Sequence, residues 1–139
     1  MNARAVSEII RNRRPITLPA GATVRQACHL MHQHRIGAVL VVAADGALEG
    51  IFTGRDAVRL LAEGKSPASL PLGSVMTQRP ETMAPHCKAL DALRLMHDGG
   101  FRHIPLVDNG KVVGIASAGD FHALEHARLD DETGYWERL

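Results

Sequence analysis

The chain is written twice. A shift of 65 residues carries Met31 onto Met96 (96 − 31), Arg14-Pro15 onto Arg79-Pro80 and Thr17 onto Thr82. The same shift moves Val24, Ala27, Cys28 and Met31 onto Ala89, Ala92, Leu93 and Met96. These positions run i, i+3, i+4, i+7, the apolar face of an amphipathic helix. Past the next strand the shift becomes 64, taking Gly50 to Gly114 and Asp56 to Asp120. The slip falls between Ala43-Ala44-Asp45-Gly46 and the tighter Asp108-Asn109-Gly110, at a hairpin turn, where a change of length is tolerated. A repeat of this period is one supersecondary unit used twice.

Hydrophobic patterning fills in each unit. Residues 1–14 read as a short amphipathic helix with Val6, Ile9 and Ile10 inward, ending before Pro15. Ile16–Pro19 is extended, Thr23–His34 a helix, Gly37–Ala43 and Leu48–Thr53 strands, and Gly54–Glu63 a helix stopped by Gly64. Residues 64–73 are linker by composition. The second copy is extended near Thr82, then helix Lys88–Asp98, strands Ile104–Asp108 and Lys111–Ala116, and helix Gly119–Leu129. The expected fold is α/β (α+β), two βαββα units packed as a pseudo-twofold pair, because one unit has too little apolar face to stand alone. The boundaries expected are 1–66 with the N-terminal helix, 67–129, and a tail at 130–139 holding the only tyrosine and tryptophan, Tyr135 and Trp136.

Composition narrows the function. Sixteen basic against fifteen acidic side chains give a net charge of +1, which supplies no bulk attraction to nucleic acid or an anionic membrane. Arg11, Arg13 and Arg14 alone support a DNA-associated reading. The longest apolar run, residues 38–44, is far short of the roughly 20 residues a bilayer needs, and no apolar signal core opens the chain. A cytosolic address is expected. Cys28 and Cys87 have no paired spacing. His29/His32 and His122/His126 can each share a helix face, but no spacing supplies a third ligand, so no metal is expected. No nucleophile–base pair or acid/base dyad is visible, so the chain reads as a non-enzyme.

The chemistry concentrates in two matched stretches, Gly50-Ile51-Phe52-Thr53-Gly54-Arg55-Asp56 and Gly114-Ile115-Ala116-Ser117-Ala118-Gly119-Asp120. Each sets a hydroxyl and a carboxylate where a strand becomes a helix, and helix N-termini favour anions. A carboxylate there can accept both hydrogen bonds of a vicinal diol, and glycine permits close backbone approach. The same Thr/Ser-x-x-Asp spacing is also a capping box, and the two roles can coexist.

The tandem βαββα repeat, the strand entries at Ile36–Val42 and Phe101–Val107, and the paired Gly-x-x-[Ser/Thr]-x-x-Asp stretches resemble the cystathionine-β-synthase (CBS) domain pair, or Bateman module, over roughly residues 6–129. The resemblance implies a regulatory module that binds AMP, ADP or ATP between its repeats, or else S-adenosylmethionine or NAD. It implies Asp56 and Asp120 as ribose readers, Thr53 and Ser117 as hydroxyl donors, and Ile51 and Ile115 beside the base. Ile16, Ile36 and Gly37, with their counterparts Glu81, Phe101 and Arg102, become the opposing walls. Arg55 is a phosphate candidate or a solvated helix-start residue, and Arg102-His103 can serve a phosphate if wall and motif come from different repeats. With Glu81 in place of Ile16, the Asp120 site is the expected first choice. The implied assembly is a homodimer passing its state to an effector protein. The competing class is a structural dimerisation module with vestigial pockets.

Overall fold

The computed structural model describes residues 4–10 and 14–122. After a four-residue helix α1 (Val6–Ile9), the first repeat runs β1 (Thr17–Leu18), α2 (Val24–His34), β2 (Ala38–Val42), β3 (Leu48–Thr53) and α3 (Gly54–Ala62). A 3₁₀ turn at Leu72–Ser74 leads to β4 (Thr77–Gln78). The second repeat follows as α4 (Ala89–Gly99), β5 (His103–Asp108), β6 (Lys111–Ser117) and a 3₁₀ turn at Ala118–Phe121. The helix expected over 119–129 thus begins as a 3₁₀ turn one residue early. Its remainder, His126 and the tail lie outside the described residues.

One sheet has the order β1-β2-β3-β4, with β1 parallel to β2 and the other pairs antiparallel. The second pairs β5 with β6, and Met83 forms an isolated parallel bridge to Leu106. That bridge is the counterpart, 65 residues on, of Leu18 against Val41. Strand β4 explains Gly50. A Cβ there would lie 2.5 Å from Met76 Sδ and 2.8 Å from the Thr77 carbonyl oxygen, so the close approach that Gly50 permits is made by β4.

Each repeat packs its own core, Val24, Ala27, Met31, Val39 and Phe52 in the first, Ala92, Met96, Ile104, Leu106 and Phe121 in the second. The segment ahead of each repeat docks on the other. Val6 and Ile10 belong to the second core, and Leu72 to the first. Val6 N–H donates to the Cys87 carbonyl (2.7 Å) as Leu72 N–H does to Ala22 (2.7 Å), and Ala89 N–H to Arg4 (2.8 Å) as Val24 N–H does to Leu70 (2.9 Å). A 66-residue shift (72 − 6) therefore extends the repeat backwards over residues 4–10. The expected linker is a packed element, because its backbone groups pair with the start of α2 and it brings Leu70 and Leu72 to the core. A third apolar cluster, Ala38, Leu40, Ile51 and Ile115, joins β2 and β3 to β6.

Candidate functional site

Both motif carboxylates begin their work at home. Thr53 N–H and Oγ1–H donate to Asp56 Oδ2 at 2.9 and 3.2 Å, and Asp56 N–H returns to Thr53 Oγ1 at 3.4 Å. Ser117 N–H and Oγ–H donate to Asp120 Oδ2 at 2.8 and 3.2 Å. The capping role weighed above is therefore present in both repeats. It directs one oxygen of each carboxylate to the helix start. Asp56 Oδ1 stands 3.7 Å from Arg59 Nη2.

The crevice beside these caps is open. A cavity of about 540 Å³ is lined by Ile51, Thr53, Gly54, Arg55 and Asp56 from the first repeat. The facing wall is Thr77, Arg79, Pro80, Glu81, Phe101, Arg102 and His103, and Gly37 completes it. Its size falls in the usual range for small-molecule sites. A second cavity, of about 310 Å³, inverts the arrangement, joining Ile115, Ser117, Gly119 and Asp120 to Arg35, Ile36, Gly37 and Ala38, again with His103. In each, most of the wall comes from the repeat opposite the motif, with Gly37 and His103 common to both.

The backbone makes this possible by tying each strand entry to the helix start of its own repeat. Gly54 N–H donates to the Gly37 carbonyl at 3.0 Å, and Ala118 N–H to Arg102 at 2.8 Å. Gly37 and Arg102 are thereby fixed at the seam between the repeats. His103, which opens β5, lines both cavities and is half-buried. Burial, aided by the Arg102 guanidinium, pushes its pKa below 6.5, with Asp120 opposing.

Nine expected residues, Gly37, Ile51, Thr53, Arg55, Asp56, Glu81, Phe101, Arg102 and His103, share the larger cavity, and Ile36, Ile115, Ser117 and Asp120 line the smaller. Ile16 lines neither; its side chain packs against the first core and its carbonyl accepts from Leu40 N–H. The Asp120 site, expected to come first, is the smaller of the two cavities and does not include Ile16. Arg79 and Pro80 line the larger cavity without having been singled out. The signal was legible in the repeated Arg-Pro dipeptide. Arg79 adopts φ +49°, an uncommon conformation for a side-chain-bearing residue and one that clusters at binding sites. Among the described residues no group of three or more metal-ligating side chains forms, and no helix is long and apolar enough to cross a membrane.

The family model for the CBS domain matches residues 6–63 and again 72–124. The chain belongs to the CBS domain family. It is 36% identical over 105 residues to the CBS domain-containing protein YhcV of Bacillus subtilis, covering 75% of this chain and 74% of that protein. It is 36% identical over 115 residues to CBSCBSPB3 of Arabidopsis thaliana, covering 82% of this chain but only 21% of that protein. The chain thus spans about a fifth of the length of such plant relatives. Among solved structures, PAE2072 of Pyrobaculum aerophilum, complexed with AMP, superposes with a TM-score of 0.81 at 26% identity, covering 90% of this chain and 99% of that one. The CBS domain pair of protein MJ0100, in complex with 5-methylthioadenosine and S-adenosyl-L-methionine, gives 0.80 at 25% identity, covering 87% and 98%. As a CBS pair the chain has the architecture of a ligand-binding regulatory module.

Proposed function

We propose that this chain is a non-enzymatic sensor of an adenine nucleotide, held between the two CBS repeats and read out by a partner protein. The observation that carries this reading is the 540 Å³ cavity, which joins the hydroxyl–carboxylate motif of the first repeat to the wall of the second. A ligand filling it touches both repeats, so it favours whichever arrangement of them it fits best. Asp56 then grips the ribose diol, Ile51 and Phe101 flank the base, and Thr53 supports the sugar. The AMP complex of PAE2072 and the adenosine-derived ligands of MJ0100 support the ligand class.

Val58 and Leu61 stand 66% and 68% exposed on α3, an apolar patch suited to a homodimer or to the effector. Cys28 and Cys87 are free thiols, in keeping with a reducing compartment such as the cytosol. Calorimetric titration with AMP, ATP and S-adenosylmethionine tests the reading. It requires saturable binding to at least one of them. Failure of all three would favour a structural dimerisation module, a reading that the capping role of both aspartates also supports.

A further inference from the structure

The pseudo-twofold that relates the two cavities exchanges arginine for glycine. Arg55, on the larger cavity, corresponds to Gly119 on the smaller (119 − 55 = 64), and Arg102 to Gly37 (102 − 37 = 65). The exchange runs the other way at Arg35 of the smaller cavity, whose equivalent is Gly100 (100 − 35 = 65). Arg79 adds a third guanidinium to the larger cavity, while its equivalent Arg14 is not among the described residues lining the smaller one. The larger cavity therefore carries Arg55, Arg79 and Arg102 against Asp56 and Glu81. The smaller carries Arg35 against Asp120, and both share His103.

The carboxylates do not cancel this difference. Asp56 is bound into the α3 cap and faces Arg59, which leaves Glu81 opposing three guanidiniums. Arg55 Nη1 donates to the Gly100 carbonyl at 3.3 Å, so this side chain already reaches from the first repeat to the C-cap of α4 in the second. Guanidinium groups fit phosphate oxygens in pairs, and each such charge-assisted bond is worth more than a neutral one. Three guanidiniums drawn from three separate segments give each group of a phosphate chain its own partner, whereas a single phosphate would have to draw all three together.

We propose that the larger cavity is a polyphosphate site, selecting an adenosine ligand with two or three phosphates, and that the smaller takes an adenosine ligand with one phosphate or none. This rests on the adenosine reading above. Arg79 and Arg102 are the specificity-determining residues. Both are exposed, so their replacement spares the core.

The test compares the wild-type chain with the R79Q/R102Q double variant in titrations with ATP, AMP, adenosine and inorganic tripolyphosphate. The expected wild-type result is ATP tighter than AMP by about tenfold or more, the scale of one charge-assisted contact. In the double variant that advantage disappears, tripolyphosphate is no longer retained, adenosine loses far less affinity than ATP does and the melting temperature holds. Equal wild-type affinities for ATP and AMP overturn the proposal, as does a variant that loses adenosine as strongly as ATP. Tripolyphosphate separates the two levels of the argument. If no adenosine compound binds but tripolyphosphate is retained and then lost in the variant, the adenosine reading falls and the polyphosphate site stands; if nothing binds, both fall.

Discussion

The imidazole of His103 brings its Cε1–Nε2 edge close to Gly37, two residues that line both cavities. A Cβ on residue 37 would come within 3.2 Å of both Cε1 and Nε2 of the ring. A side chain at position 37 would therefore have to move the ring, and the glycine belongs to one repeat while the ring belongs to the other.

Gly37→Ala is expected to displace the ring by a few tenths of an ångström and to change the walls of both cavities together. Residue 37 is exposed and the ring can tilt, so the loss of stability should stay below about 1 kcal/mol. Ligand binding should weaken at both sites by a similar factor. Melting curves and titrations on the same sample check this; an effect on one cavity alone would show that the ring does not partition them.

His103 also sets a pH dependence. Its folded pKa lies below 6.5, chiefly through burial and secondarily through Arg102, while Asp120 pulls the other way. Between the folded and unfolded pKa values the unfolded chain holds more proton, so stability rises with pH there. The contribution is fully present above about pH 6.5 and is lost as the pH falls toward the lowered value. Denaturant midpoints measured from pH 7 down to 5 should fall less steeply in His103→Asn than in the wild type. Parallel slopes would refute the assignment.

The fold was legible because its signals are periodic and doubled. The helical face Val24-Ala27-Cys28-Met31 and the Asn109-Gly110 turn each appear where the pattern puts them, within a residue or so. The exchanged docking of residues 4–10 and 70–76 was not legible. Its partners lie about 80 residues away for the first segment (87 − 6 = 81) and about 50 for the second (72 − 22 = 50), and the apolar spacing of Val6, Ile9 and Ile10 says only that a face is buried, not against what. The composition of residues 64–73 misled for a related reason: Pro and Gly mark irregular backbone, whether or not it is packed. Within the site the motif residues were readable from their repetition. Ile16 was misplaced because strand pairing with β2 turns it toward the first core.

The exchanged segment yields a stability prediction. Leu72 is fully buried in the first core although it follows α3 and the turn after it. Leu72→Ala should cost about 2–5 kcal/mol, the cost of truncating a buried leucine that leaves a cavity. Val58→Ala, at a position 66% exposed, should stay within about 0.5 kcal/mol. Urea denaturation distinguishes them; similar midpoints for the two variants would mean that residues 70–76 are not part of the core.

The double duty of Asp56 can be divided experimentally. Capping uses Oδ2, which accepts from Thr53 N–H and Oγ1–H, whereas Oδ1 meets Arg59 Nη2 only at 3.7 Å. An asparagine keeps one oxygen that can accept from Thr53 N–H, so Asp56→Asn should retain the cap and cost less than about 1 kcal/mol. It removes the negative charge, and with it the charge assistance to a diol, so adenosine affinity should fall by about tenfold. Thr53→Ala makes the opposite cut. It leaves the carboxylate but takes away the acceptor of Asp56 N–H, and should cost about 1 kcal/mol of stability with a smaller effect on binding. Measuring melting temperature and affinity for both variants gives two readouts that must move in opposite order. If Asp56→Asn lowers stability while leaving affinity intact, the carboxylate is a helix cap and nothing more, and the diol must be held elsewhere.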